Sequence, residues 1–176
     1  MDFHNEFYNA CYTTSDINEH LPLLAQLAKD CSHITELGVG PAQSTRAFLL
    51  NENVELHCYE YKPMPGIKEF FIKARAAGRN VTLHVADTRK IEIATTDLLM
   101  VDSLHVYEQV KKELELHAPK TRKYIVFHDT TSFADVGEFG GRGIWPAIQE
   151  FIDTHFEWRM IERKFNNNGL TILKRV

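Results

Sequence analysis

Cysteine is scarce in this chain: Cys11, Cys31 and Cys58 are the only three, far apart and without a Cys-x-x-Cys pair. An odd, scattered set makes no disulfide framework and fits free thiols in a reducing compartment. Long apolar runs are missing too. No stretch approaches the roughly 18 apolar residues of a membrane span, and the opening MDFHNEFYNA is acidic and aromatic, unlike a secretory leader. The expectation is a soluble, cytoplasmic protein with no membrane partner. Basic clusters are absent as well: the formal charge is -4 and the 20 Lys and Arg residues are dispersed, which argues against a nucleic-acid partner and points to small molecules. There is no repeat, low-complexity tract or linker. What remains is 176 residues, 44% hydrophobic and 25% charged, enough for one domain with a real core and unlike a disordered chain.

Apolar runs of strand length alternate with segments of helical spacing, the pattern of βαβ units around a parallel sheet. Residues 1–30 read as an N-terminal helical segment. In it, Phe3, Phe7, Tyr8 and Tyr12 lie at roughly helical spacing, as packing or as a cover for a pocket. Ser15 and Asp16 are placed to cap a helix carrying Ile17, Leu21, Leu24, Ala25 and Ala28, with Pro22 disturbing its early turns. Residues 31–176 then give strand His33–Leu37, a turn Gly38–Pro41, and a helix over Ala42–Leu50. Strand Glu55–Tyr59 follows, ending at Glu60, and then helix Ile67–Ala77, stopped by Gly78. Strand Val81–Val85 leads to Asp87, and strand Asp97–Val101 closes at Asp102 before a helix over Val106–His117. Strand Tyr124–Phe127 ends in His128-Asp129. Thr130–Gly143, with four glycines and no periodicity, reads as a mobile loop before a helix over Ile144–Thr154. Phe156–Ile161 and Leu170–Leu173 flank Asn168-Gly169, a hairpin turn signal.

In an open parallel sheet ligands bind beyond the carboxyl ends of the strands. The five strand ends here deliver Glu36-Leu37-Gly38-Val39-Gly40, Glu60, Asp87, Asp102 and His128-Asp129, so glycines and acids collect along one edge. Gly38-Val39-Gly40 alone is a common tight connection. Gln43 occupies the third position of a dinucleotide fingerprint, and a pyrophosphate would meet Glu36 and Glu60 unfavourably, so a ligand without phosphates fits better. Glu60 is placed to accept two hydrogen bonds from ribose hydroxyls. Asp87 either accepts an adenine amino hydrogen or caps the following turn.

The order of these motifs resembles a class I S-adenosylmethionine-dependent methyltransferase over nearly the whole chain. The resemblance implies a single-domain α/β fold, a Rossmann-like three-layer sandwich whose mostly parallel sheet is closed by a C-terminal antiparallel hairpin. It implies S-adenosylmethionine as cofactor, with Glu36, Gly38 and Gly40 at its methionine part, Glu60 at the ribose, Asp87 near adenine and Asp102 beside them. Pro41-Ala42 departs from the family's commoner third glycine. The later half, Asp97-Leu-Leu-Met-Val-Asp-Ser-Leu-His-Val-Tyr-Glu108 and Tyr124-Ile-Val-Phe-His-Asp-Thr130, is similar to a small-molecule O-methyltransferase subgroup that includes cephalosporin-hydroxylase-like and macrolide-sugar methyltransferases. That subgroup implies a divalent cation, Mg²⁺ or Mn²⁺, held by acids of the fourth and fifth strand ends, and a histidine base. By position the metal ligands become Asp102, His128 and Asp129, and the catalytic residues Asp102 and His105. His128 stands where the subgroup has an acid, which softens the site towards manganese, iron or zinc.

The reading is therefore O-methylation of a small-molecule hydroxyl, a sugar or secondary metabolite, assisted by a cation. A nicotinamide-dependent oxidoreductase and a non-catalytic cofactor-binding module with a decayed metal site are the rivals. The acceptor pocket is expected to be shallow unless the N-terminal segment, the Thr130–Gly143 loop or a second subunit covers it, which leaves a homo-oligomer open.

Overall fold

The computed structural model describes residues 1–176. Helix α1 (Phe3–Tyr12) starts at Asp2, whose carboxylate accepts from the Asn5 amide and so satisfies one of the helix's free N–H groups. Phe3, Phe7 and Ala10 face the core, whereas Tyr8 and Tyr12 are exposed. Half of the aromatic stripe is thus packing, and none of it lines the cleft described below. Helix α2 (Leu21–Ala28) begins later than Ser15 and Asp16 suggest, after a 3₁₀ turn at Asn18–His20. Pro22 is the reason: in a first turn its missing N–H has no intrahelical partner to lose, so it opens the helix instead of disturbing it.

Strands and helices then alternate: β1 (His33–Leu37), α3 (Gln43–Phe48), β2 (Glu55–Glu60), α4 (Ile67–Ala76), β3 (Asn80–Val85), β4 (Thr96–Val101), α5 (Tyr107–His117), β5 (Thr121–His128), α6 (Trp145–Thr154), β6 (Trp158–Lys164) and β7 (Leu170–Arg175). They form one seven-stranded sheet in the order β3-β2-β1-β4-β5-β7-β6. Strands β1 to β5 pair in parallel, and β7 runs antiparallel between β5 and β6. This is the expected α/β sandwich with its closing hairpin. Between β3 and β4 the chain makes only a 3₁₀ turn at Thr88–Lys90, whereas every other parallel crossover carries a helix.

Alternation along the strands divides the core. Ile34, Leu56, Cys58, Val81, Leu98 and Met100 face the layer of α1 to α4, and Leu37, Tyr59, Leu99, Val101, Ile125 and Phe127 face that of α5 and α6. Each fully buried large side chain contributes about 1.5–3 kcal/mol. No helix is long and apolar enough to cross a membrane. The chain leaves β1 towards β2 and β3 and returns to β4 on its other side. The crevice at that reversal, beyond the carboxyl ends of β1 and β4, is where an open sheet receives a ligand.

Candidate functional site

The turn after β1 is held against the end of β4. Gly38 has φ +87°, and a Cβ there would lie 1.9 Å from the Asp102 carbonyl oxygen, so only glycine fits. The Asp102 amide donates to the Leu37 carbonyl and the Gly38 amide to that of Tyr59, each at 2.8 Å. Gly40 also has a positive φ, +50°, but a Cβ there would meet no atom within 4 Å. A side chain at that position would project into open space beside a cleft of about 520 Å³, lined by Gly38, Gly40, Glu60, Asp87, Asp102 and Gln109 among others. Glu60 ends β2 at this cleft. Its Oε2 accepts from the Val39 and Gly40 amides at 3.0 and 3.3 Å, and its Oε1 from the Lys62 amide at 3.0 Å.

Two expected contributors behave differently. Glu36 does not line the cleft. It faces α3, fully buried, and accepts from the Ser44 hydroxyl at 2.5 Å, the Thr45 hydroxyl at 2.7 Å and the Cys58 thiol at 2.9 Å. Burial pushes its carboxyl up to about 7, against the pull of those three donors. Its role here is to anchor the start of α3 to β1 and β2. Asp87 lines the cleft, but its carboxylate caps the 3₁₀ turn through the Arg89 amide and takes both Nε and Nη2 of Arg89 at 3.0 Å. That guanidinium holds it far below the usual carboxylate range. Of the two roles read from sequence, capping is the one the structure displays.

Beyond β4 and β5 the remaining residues converge. His105 Nε2 lies 3.3 Å from Asp102 Oδ1 and 3.0 Å from Asp129 Oδ2, and His128 Nδ1 lies 3.2 and 3.5 Å from the same two oxygens. Asp102, His128 and Asp129 each offer a ligand atom within 4.8 Å of the others. Three further features suit a cation. The second oxygen of Asp129, Oδ1, is buried with no hydrogen-bond partner. Asp129 adopts φ +60°, a left-handed conformation that costs a non-glycine residue energy and aims its carboxylate into the cluster. His128 Nε2 lies 3.0 Å from the Asp16 carbonyl, which can only accept, so Nε2 carries a proton and Nδ1 is the nitrogen turned to the cluster, where it would offer a cation its lone pair once its own proton had left.

The electrostatics are those of two carboxylates sharing two imidazoles. Burial disfavours the charged form of every member, but mutual pairing outweighs it. Asp102 and Asp129 are held below the usual carboxylate range, His105 is raised to about 10 and His128 to about 11 by the two carboxylates.

Sequence reading missed three participants. Phe133 stacks on the His105 ring with centroids 4.9 Å apart, and Glu138 Oε2 lies 3.4 Å from His105 Nδ1. Both belong to the glycine-rich loop, whose irregularity hides where its side chains point. Glu113, buried on α5, accepts from the Ser103 and Thr88 hydroxyls and the Gln109 amide, bracing the cleft floor. Helical periodicity gives no sign of it. Tyr107 and Trp145 are structural: the Tyr107 hydroxyl donates to Glu150, and Arg163 lies over the Trp145 ring.

A family model for a methyltransferase domain matches residues 35–130. No curated protein matches the sequence. Solved structures of similar fold include a provisionally named caffeoyl-CoA O-methyltransferase from Staphylococcus aureus, 14% identical, with TM-score 0.69 over 90% of this chain and 83% of that one. The N-methyltransferase NodS from Bradyrhizobium japonicum in complex with S-adenosyl-L-homocysteine is 12% identical, with TM-score 0.67 over 99% of both chains. The 1,6-didemethyltoxoflavin N1-methyltransferase of Burkholderia thailandensis, with 1,6-didemethyltoxoflavin and S-adenosylhomocysteine bound, is also 12% identical, with TM-score 0.67 over 92% of this chain and 78% of that one. At such identities the likeness is one of fold. The family match runs from within β1 to the residue after Asp129, more than half of the sequence and all of the strand ends that border the cleft, and by it the chain belongs to the methyltransferase domain family.

Proposed function

We propose that the protein is an S-adenosylmethionine-dependent O-methyltransferase acting on a hydroxyl of a small molecule, a sugar or secondary metabolite, with a divalent cation at Asp102, His128 and Asp129. One observation carries the reading: the two-carboxylate, two-imidazole cluster opens beside the cleft that Gly38, Gly40 and Glu60 border. The cleft suits the cofactor because Gly40 leaves it unobstructed and Glu60 presents acceptor oxygens at its rim, where hydroxyl donors of a ribose would bind. S-adenosylmethionine supplies an electrophilic methyl group on a sulfonium, and the cation supplies positive charge that acidifies the acceptor hydroxyl.

The chain's own residues do the rest. Asp102 and Asp129 hold the cation through oxygens aimed by the ends of β4 and β5, and His128 adds a nitrogen fixed by its bond to the Asp16 carbonyl. His105 Nε2 is the group positioned to take the hydroxyl proton, since it reaches both carboxylates and its ring is held flat against Phe133. Its proton affinity comes from the unneutralised carboxylates, so its service as a base depends on the cation. Glu138 on the Thr130–Gly143 loop brings that loop to the cleft as its cover.

Calorimetric titration tests this. S-adenosylmethionine should bind the intact chain and NADH should not, and Mn²⁺ should bind with a stoichiometry near one that Asp102→Asn abolishes. Binding of NADH in place of S-adenosylmethionine would refute the cofactor, and Mn²⁺ binding indifferent to Asp102→Asn would refute the cation site.

A further inference from the structure

A second cluster of imidazoles lies at the other end of β1, away from the glycine turn. His33 of β1, His57 of β2 and His84 of β3 project from the face of the sheet that carries Leu37 and Tyr59. Their rings stack in a row, His33 on His57 at 5.1 Å with planes 15° apart and His57 on His84 at 5.2 Å with planes 11° apart. This is the face left without a helix by the bare crossover from β3 to β4, since α5 and α6 pack over the other half of the sheet. Alternation predicts apolar residues on a covered face; here the exposed half carries three histidines and Glu55 instead.

The polar atoms of the row are unevenly satisfied. His57 Nε2 lies 2.9 Å from Glu55 Oε1 and its Nδ1 3.0 Å from His84 Nε2. Both ring nitrogens of His33, by contrast, are buried with no hydrogen-bond partner. Burying an unsatisfied polar atom is costly, and a ligand that used it would remove the cost. One ligand atom each from His33, Glu55 and His57 lie within 4.8 Å of one another.

We propose that His33, His57 and Glu55 form a binding site for a divalent transition-metal ion of the zinc class, with His84 orienting the His57 ring. Two imidazoles and one carboxylate are a borderline donor set that suits Zn²⁺ and leaves a coordination position for water, whereas Mg²⁺ requires a mainly oxygen shell. With the ion at His57 Nε2 and Glu55, the single proton of the neutral His57 ring sits on Nδ1 and is donated to His84 Nε2, 3.0 Å away, so no net charge is left on the ring. The ion ties β1 to β2 on a face that no helix braces.

Equilibrium dialysis of the full chain against ZnCl₂ alone decides it. Because the cleft cluster also offers ligands, the comparison is made in an Asp102→Asn background. That variant should bind one Zn²⁺ and gain thermal stability from it; adding His33→Gln and His57→Gln should remove both effects. Glu55→Gln alone, a near-isosteric change at a side chain that is 49% exposed, should weaken zinc binding about tenfold or more. Equal zinc uptake with and without the two histidine substitutions, or none in either, overturns the site. Should the double variant fail to fold, unchanged zinc affinity in Glu55→Gln overturns it equally. His33→Gln with His57→Gln in the wild-type background leaves Mn²⁺ and S-adenosylmethionine binding unchanged, so failure here is separable from failure at the cleft.

Discussion

Replacing Gly38 by alanine should cost far more than the same change at Gly40, and the difference isolates the contact that joins β1 to β4. Both residues have positive φ, +87° and +50°, so each alanine pays the left-handed penalty of about 1–2 kcal/mol. Only at Gly38 would the new methyl collide with backbone, 1.9 Å from the Asp102 carbonyl oxygen and 2.9 Å from the Ser103 nitrogen. Backbone cannot rotate away as a side chain can, so the two strand ends must part by an ångström or more. That separation breaks the Asp102 amide to Leu37 carbonyl bond and strains the Gly38 amide to Tyr59 carbonyl bond, both 2.8 Å. Unmade buried hydrogen bonds cost about 1–3 kcal/mol each. Gly38→Ala should therefore lose about 3–5 kcal/mol in urea denaturation followed by circular dichroism, a large share of a domain's usual 5–15 kcal/mol. Gly40→Ala should lose about 1 kcal/mol while weakening S-adenosylmethionine binding, because its methyl enters the cleft. If the two variants unfold within about 1 kcal/mol of each other, the Gly38 contact does not constrain the site and the reasoning fails.

Glu60→Ala removes acceptor oxygens from the cleft rim and should weaken S-adenosylmethionine binding about thirtyfold or more, as calorimetry would read; an unchanged affinity in a folded variant rejects the ribose role. Glu36, pushed up to about 7 from an ordinary 4.5, is protonated more readily in the folded state, so its contribution is fully present below about pH 4.5 and is lost as pH rises to 7. Glu36→Gln should flatten that fall, which amounts to on the order of 3 kcal/mol, when urea midpoints are compared from pH 5 to 8; an unchanged slope contradicts the buried, raised carboxyl. Chelation with EDTA should abolish methyl transfer and Mn²⁺ should restore it. His105→Ala should lower turnover about 10²- to 10⁴-fold with cofactor affinity intact, and near-normal turnover would move the base elsewhere.

Much of the fold is legible because the strands are short, apolar and bounded by turn residues; β1 begins and ends at His33 and Leu37 as the sequence suggests. Strand β5 runs from Thr121, three residues earlier than its apolar run, because Thr121, Arg122 and Lys123 extend it without an apolar signature. The cleft was legible in position: Gly38, Gly40, Glu60, Asp87 and Asp102 all border it, as residues after parallel strands should. Glu36 was misplaced because a strand end was read without its side. It shares parity with Ile34, which faces the helices of α1 to α4, while Leu37 takes the other face. Phe133 and Glu138 were illegible because an aperiodic loop fixes its side chains only through tertiary contacts.

The histidine at 128, the one departure from the expected acidic pair, has a structural cause that bears on the chemistry. The segment around Asp16 and the turn at Asn166–Gly169 fold over the end of β5, tied together by the Asn167 side-chain amide donating to the Ser15 carbonyl. They bring the Asp16 and Asn167 carbonyls to 3.0 and 3.4 Å from His128 Nε2. A carboxylate there would face two carbonyl oxygens with no donor between them, a buried arrangement of acceptors that is strongly unfavourable. Imidazole answers both sides, giving Nε2–H outward to the carbonyls and Nδ1 inward to the carboxylates. The substitution also sets the charge of the cluster. Asp102 and Asp129 carry two negative charges, and these are balanced either by protons on His105 and His128 or by one divalent cation with both imidazoles neutral. A third carboxylate would leave a surplus negative charge after the cation bound. On the proposed reading, a divalent cation beside His128 would bring the site to neutrality, the condition under which His105 could give up its proton and accept another from a hydroxyl.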